Sequence, residues 1–335
     1  MSDGGADAQR LLELLGGKWI AQALSTAAAL GVAEALSDGP LAAGELAGAL
    51  GCEADGVARL MSVLAGLGAV ARGTDDRFTL TSLGRELRQD RLGALAAHVG
   101  EPSQWDPWAR LRDALRSRET AFEKTHGSGL FDYLAVHHDA SARYDAAVDA
   151  FTRVEARSLA EAVPELAGGG TVVDIGGGRG TLLATLLARW EGLRGVLFDL
   201  PHVAERVTER LVGRFGGRLS AVGGDFHQAV PGGADFYVVR HVLHNWGDDE
   251  AAALLARCRE AMAPGGRVLV VEGVLLPGDV LDTVRLLDLE MLVLTREGRE
   301  RSKPELRRLF SRAGLKLERV APLAGFSRLL VGGAG

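Results

Sequence analysis

Thiols are scarce in this chain. Two cysteines, Cys52 and Cys258, stand far apart and in no CxxC or Cys/His array. That argues against a disulfide-stapled scaffold and a structural zinc site, and fits a reducing cytoplasm. Basic charge is also short: 38 Lys and Arg against 44 Asp and Glu leave a net charge of -6, whereas a nucleic-acid partner asks for a basic face. No run of about 18 uncharged apolar residues occurs, so no membrane-spanning helix is expected. The opening MSDGGADAQR lacks a basic start followed by an apolar stretch, so no secretory signal is expected and the expected location is the cytoplasm. Aromatic residues make up only 5% of the chain.

What remains is ordinary globular composition, 47% hydrophobic and 24% charged over 335 residues, enough for two or three domains. The first ten residues are polar and Gly-rich and are expected to fray. Over residues 11–36 apolar side chains recur at helical spacing, interrupted by Gly31. Pro40 opens a helix to Leu50, and a second spans 54–67. Val70-Ala71-Arg72 and Arg77-Phe78-Thr79-Leu80 read as a hairpin around Thr74-Asp75-Asp76. Three helices and a hairpin give the winged-helix order, whose commonest use is DNA binding. Here the would-be recognition helix ADGVARLMSVLAGLG carries one basic residue, Arg59, and its apolar positions suit protein contacts better than phosphates.

Residues 92–163 read as helical, with Trp105, Trp108, Phe122, His126, Phe131, Tyr133 and Tyr144 along them. Core packing accounts for most of these, while several also suit the walls of a pocket for a flat ligand. After Gly168-Gly169-Gly170 the period changes. Strands at 171–175, 195–198, 219–222, 236–239 and 267–271 alternate with helices at 181–190, from 203, and at 249–262. That is the pattern of a parallel sheet covered on both faces. The expected domains are 10–100, 101–165 and 166–335.

Three features fall at successive strand ends. Asp174-Ile175-Gly176-Gly177-Gly178-Arg179-Gly180 joins a strand to a helix, and glycines there let backbone approach a ligand. A dinucleotide fingerprint would require glycine at 181, which is Thr181. The spacing instead fits DxGxGxG, the pattern of methyltransferase sheets. Asp199 closes the next strand, where a carboxylate can accept ribose hydroxyls, though it also suits a helix cap before Pro201. Asp225 and Phe226 follow the third strand, placed to accept from an adenine amine and to cover its ring; a turn residue is the plainer account of Asp225.

The next strand runs into Arg240-His241-Val242-Leu243-His244-Asn245-Trp246. With DIGGGRG at 174–180, FDLPHV at 198–203, GGDF at 223–226, HVLHNW at 241–246 and GRERSKPEL at 298–306, the chain resembles a class of S-adenosylmethionine-dependent O-methyltransferases. That class includes plant caffeic acid and flavonoid enzymes and bacterial polyketide and antibiotic-tailoring enzymes. The resemblance runs from about residue 10 to 332. It implies a Rossmann-like class I methyltransferase domain, α/β with a mostly parallel seven-stranded sheet, preceded by a winged-helix dimerisation domain, and hence a homodimer.

It also implies roles. His244 matches the general base, Glu272 the carboxylate that holds it, and Glu300 a second carboxylate beside it. Asp174, Gly176, Gly178, Asp199, Asp225, Phe226 and Arg240 fall at cofactor positions. Tyr144, Val148, Met291 and Thr295 fall at substrate-facing positions, with His241 and Asn245 beside the base. The class usually has Asp where Asn245 stands, and many relatives have Met where Val148 stands. The residues alone also allow His244 to be a structural cap and His241 merely to end its strand.

Chemistry supports the same residue types. A sulfonium methyl is already electrophilic, so the enzyme must align an oxygen with it and remove a proton. A phenol with pKa of about 10 can give that proton to an imidazole of about 6.5 as the C–O bond forms. No spacing of carboxylates or histidines along the sequence suggests a metal, so metal-independent transfer to a hydroxyl of a small aromatic or polyketide-like metabolite is expected. The alternative keeps the cofactor but runs hydroxylation, decarboxylation or pericyclic chemistry. A third reading, a ligand-sensing transcription factor using the winged helix, is disfavoured by that weakly acidic, Arg-poor helix.

Overall fold

The computed structural model describes residues 3–117 and 119–335. They divide into two compact units: residues 3–106 with 137–151, and residues 107–117 and 119–136 with 152–335.

The first unit begins with helices α1 (Asp3–Leu15) and α2 (Gly17–Leu30). Helix α1 therefore includes residues expected to fray; its hydrophobic repeat at Leu11, Leu12, Leu14 and Leu15 supplies an apolar side that favours helix. Gly31, in the left-handed conformation at φ 77°, closes α2, as a glycine readily does. Pro40 precedes a strand rather than opening a helix: β1 (Leu41–Ala42) pairs with β3 (Arg77–Leu80). Helices α3 (Ala43–Leu50) and α4 (Ala54–Gly66) follow, and β2 (Val70–Arg72) completes a three-stranded sheet in the order β1-β3-β2. Leu46, Met61, Leu64, Val70 and Phe78 form its buried core.

Helix α5 (His138–Ala162) starts in the first unit and ends in the second. The second unit then alternates strand and helix: β4 (Gly170–Ile175), α6 (Thr181–Arg189), β5 (Leu193–Asp199), α7 (Pro201–Leu211), β6 (Leu219–Gly223) and β7 (Phe236–Arg240). Next come α8 (Asp248–Ala261), β8 (Arg267–Leu275), α9 (Thr283–Leu294), β9 (Arg301–Ser302), α10 (Lys303–Arg312), β10 (Leu315–Pro322) and β11 (Ser327–Ala334). The main sheet path is β10-β11-β8-β7-β4-β5-β6, parallel from β8 to β6 and antiparallel at the closing hairpin, with β9 paired to β8 beside it.

Side-chain alternation explains why the central strands β7 and β8 are apolar over most of their length. On β7, Tyr237 and Val239 enter one core layer and Val238 the other; on β8, Val268 and Val270 face the first layer, Leu269 and Val271 the second. A strand buried on both faces has no polar side to show. Strand β4 lies between β5 and β7, so the chain winds outward one way to β6 and returns to the other side at β7. Ligands bind at the carboxyl ends of strands where such a reversal opens a crevice.

Candidate active site

At the end of β4 the chain must turn sharply, and Gly176, Gly178 and Gly180 do so at φ 68°, 53° and 76°, backbone that other L residues adopt only with strain. A Cβ on Gly176 would come within 2.9 Å of Val242 Cγ2, whereas one on Gly178 would meet nothing within 4 Å. Gly176 is thus needed for close packing, while Gly178 leaves open ground at the sheet edge. The Gly178 N–H donates to Asp199 Oδ2 at 2.8 Å, and the Leu200 N–H to Asp199 Oδ1 at 2.7 Å.

Asp174 is buried and its Oδ2 has no hydrogen-bond partner among the described residues. Burial pushes its carboxyl up to about 7, against the pull of Arg240, and the neighbouring Asp199 charge adds to the rise. An orphaned buried carboxyl oxygen beside an open glycine turn fits a ligand that brings a cation or donors. Asp199 is also raised, chiefly by burial. Asp225 holds its own turn: Oδ1 accepts from the His227 N–H at 2.8 Å and Oδ2 from Gln228 Nε2 at 3.1 Å. Phe226 lies half-buried, its ring edge-on to Trp246 with centroids 6.0 Å apart.

The second cluster forms where β7 ends against β8. His244 sits in a short 3₁₀ turn, Leu243–Asn245. Its Nδ1 lies 2.7 Å from Glu300 Oε1; a carboxylate there accepts, which assigns the proton to Nδ1 and leaves Nε2 as the ring's lone-pair nitrogen. Glu272 lies inside β8, which continues to Leu275 rather than stopping at Val271. Its Oε1 accepts the backbone N–H groups of Leu243 at 2.8 Å and His244 at 3.3 Å. Its Oε2, with no hydrogen bond among the described residues, is 3.7 Å from Nδ1 of both His241 and His244. The ring of the expected base is therefore held by Glu300, and its backbone by Glu272.

Burial disfavours charge on His244, but the Glu272 charge and the Glu300 hydrogen bond together outweigh it and hold the imidazole above its ordinary 6.5. Burial also raises Glu272, against the attraction of the two histidines.

His241, at φ 49°, adopts a backbone conformation uncommon outside glycine. Its Nε2 is 3.1 Å from Glu155 Oε1 and 3.2 Å from Ser327 Oγ, and its ring centroid is 5.4 Å from that of His244. Glu155 Oε2 also accepts from Arg240 Nε at 2.7 Å. Burial works to raise the Glu155 carboxyl, yet His241 and Arg240 prevail and hold it at about 2. Asn245 Nδ2 donates to the His241 carbonyl at 3.2 Å, bracing the turn with an amide where the resembled class usually has a carboxylate.

His241, His244 and Glu272 thus offer donor atoms within 4.8 Å of one another, a grouping invisible in their sequence spacing. In this arrangement Nδ1 of His244 already serves Glu300, and Glu272 Oε1 already holds two N–H groups.

Of the residues expected at the acceptor, Met291 and Thr295 stand on and just after α9 in the second unit, with Thr295 Oγ1 donating to the Met291 carbonyl. Tyr144 and Val148 belong to the first unit, on the opening half of α5; Tyr144 packs edge-on to His98 at 5.7 Å. Glu155, Ser327 and Arg301 were missed from sequence. Glu155 had a signal: it is a carboxylate within a helical stripe whose other members, Thr152, Ala156, Leu159, Ala160 and Val163, are all buried.

Two family models match the chain, an O-methyltransferase domain over residues 108–316 and an O-methyltransferase dimerisation domain over residues 12–90. A phenazine O-methyltransferase of Lysobacter antibioticus is 37% identical over 318 residues, covering 94% of this chain and 92% of the relative. An 8-amino-8-demethylriboflavin N,N-dimethyltransferase of Streptomyces davaonensis is 32% identical over 331 residues, covering 94% of this chain and 92% of its own. Among solved structures, a methyltransferase of calicheamicin biosynthesis bound to S-adenosylhomocysteine superposes with a TM-score of 0.88 at 37% identity, covering 100% of both chains.

Proposed function

We propose, from the premise that the chain belongs to the O-methyltransferase family, that it moves the methyl group of S-adenosylmethionine to a hydroxyl, phenolic in character, on a small aromatic secondary metabolite. The observation that carries this reading is the buried His244–Glu300 pair, 2.7 Å apart, at the carboxyl edge of the sheet.

When bound, the cofactor supplies an electrophilic sulfonium methyl; the chain's own residues hold that cofactor, align the acceptor and move its proton. Gly176 and Gly178 let the backbone come close, Asp174 would receive the ammonium, Asp199 the ribose hydroxyls, and Asp225 with Phe226 the adenine. Arg240, tied to Glu155, borders that set. His244 Nε2 takes the acceptor's proton as its oxygen is alkylated. Glu300 fixes the tautomer and, with Glu272, stabilises the imidazolium, the logic of a hydrogen-bonded base–carboxylate pair. General-base assistance of this kind contributes about 10²–10⁴-fold. Because a sulfonium methyl is already electrophilic, the proposed transfer uses no metal.

Within the second unit the acceptor-facing set is His241, Asn245, Met291 and Thr295. The name of the phenazine relative supports a planar ring as the acceptor. A homodimer through the N-terminal unit is supported by its dimerisation-domain match and by exposed Leu11, Leu12, Leu15 and Trp19, the last 73% exposed. Among the described residues no helix is long and apolar enough to cross a membrane. Two free cysteines support a cytoplasmic setting.

The test is incubation with methyl-labelled S-adenosylmethionine and a panel of hydroxylated and amino-substituted aromatics. Methyl ethers formed by the wild type and not by His244→Ala are expected. Methylamines alone would move the acceptor class to nitrogen. Cofactor binding with an acceptor consumed but never methylated would favour the non-methylating alternative.

A further inference from the structure

The run Gly298-Arg299-Glu300-Arg301 has one member, Glu300, with a part in the chemistry so far. Its neighbours all bear on the same turn. Gly298 passes so close that a Cβ there would lie 2.6 Å from the His244 carbonyl oxygen. The Arg299 N–H donates to that oxygen at 2.8 Å. Arg301 is 3% exposed, and its guanidinium donates from all three nitrogens: Nε to Asp248 Oδ1 at 2.8 Å, Nη1 to the Leu243 carbonyl at 2.9 Å and Nη2 to the Trp246 carbonyl at 2.7 Å.

The Leu243 carbonyl accepts the Trp246 N–H at 3.2 Å within the turn, but a 3₁₀ turn of three residues has no N–H of its own for the carbonyls that follow. Here the N–H groups of Leu243 and His244 end on Glu272, and the carbonyls of Leu243, His244 and Trp246 end on residues 299 and 301. One strand pairing sets both sides, since Arg301 pairs in register with Val274, two residues beyond Glu272 on β8.

We infer that Arg301 is a positioning residue for His244: its planar fork ties the two ends of the catalytic turn together, so that Nε2 keeps its place while Glu300 holds the ring. The inference rests on reading His244 as the base. It matters because in-line transfer depends on alignment, and a misplacement of about 1 Å can cost about 10²-fold. A lysine ammonium is a point charge and cannot span three acceptors in one plane.

The experiment uses the full chain as wild type, Arg301→Ala, Arg301→Lys and His244→Ala. It measures methyl transfer to a hydroxyphenazine probe, S-adenosylmethionine affinity by calorimetry, and the low-field Nδ1–H resonance of His244, which needs no acceptor. Both Arg301 variants should bind the cofactor as the wild type does and lose about 10²-fold in kcat, with the resonance broadened or lost. Millimolar guanidinium should restore part of both in Arg301→Ala, and nothing in wild type or His244→Ala. Wild-type kcat and resonance in either Arg301 variant would overturn the assignment. Loss of cofactor binding in step with kcat and no guanidinium rescue would make the residue structural only. If His244→Ala stays active, the base reading falls and takes this inference with it; if only the Arg301 variants stay active, the base reading survives alone.

Discussion

Glu300 and Glu272 divide the support of one histidine between them: Glu300 Oε1 takes the His244 ring N–H at 2.7 Å, while Glu272 Oε1 takes the backbone N–H groups of His244 and Leu243. One carboxylate therefore sets the tautomer and the other sets where the ring begins. The second oxygen of each carboxylate is buried and makes no hydrogen bond among the described residues, and that of Glu272 lies 3.7 Å from His244 Nδ1, close enough to stabilise an imidazolium when it forms.

Glu300→Gln should separate the two duties. An amide can still accept from Nδ1–H, but it carries no charge and is free to present its NH₂ instead, which would favour the wrong tautomer. A fall in kcat of about 10²–10⁴-fold is expected with cofactor affinity unchanged. Steady-state kinetics beside calorimetry check this. Equal losses in both would contradict it.

The pH profile is set by the direction of the His244 shift. The ring must be neutral to accept a proton, and its carboxylates hold it above 6.5. The acid limb of log kcat/KM should therefore have its midpoint above 6.5 with unit slope, and Glu300→Gln should move that midpoint down. For stability the sign reverses. A folded pKa above the unfolded one adds stability that is complete below the unfolded pKa and is lost as pH rises through the folded value. His244→Ala should lose that increment at low pH, as thermal melts across pH would show.

Much of the second unit was legible because its central strands are apolar on both faces and its glycines sit where strands end; β4 to β8 lie where the period change put them, give or take a few residues. Pro40 was misread because a proline at a helix start and one before a short edge strand look alike in sequence, and the pairing of Leu41 with Phe78 is a long-range fact. The site was legible as residue types, not as contacts. Nothing in the spacing of 244, 272 and 300 says which carboxylate meets the ring. Glu155, 86 residues from His241, could be found only as a charge within an apolar helix stripe.

Cofactor affinity should itself be pH-dependent. Asp174, raised by burial to about 7, is protonated below that pH, and an incoming ammonium favours the charged carboxylate. Binding of S-adenosylmethionine should then weaken as pH falls below about 7 and release a proton there, seen as a buffer-dependent calorimetric enthalpy. Asp174→Asn should bind more weakly at neutral pH and show neither effect. A wild-type affinity flat from acid to neutral pH would sink the proposed part for Asp174.

Glu155 offers the sharpest stability test, because it is 1% exposed and holds both Arg240 and His241. Removing one partner from a buried charge set costs about 3–5 kcal/mol, since the remaining charges lose their compensation. Glu155→Ala should therefore unfold at clearly lower denaturant concentration than the wild type. The carboxyl is held at about 2, below its ordinary 4.5, so its contribution is present above the unfolded pKa and disappears as pH falls toward the folded one. The stability gap between wild type and Glu155→Gln should thus be widest near neutral pH and narrow between about 4.5 and 2. Denaturant melts over that range decide it: a gap that stays constant down to the acid end would mean that Glu155 acts through packing rather than through its charge.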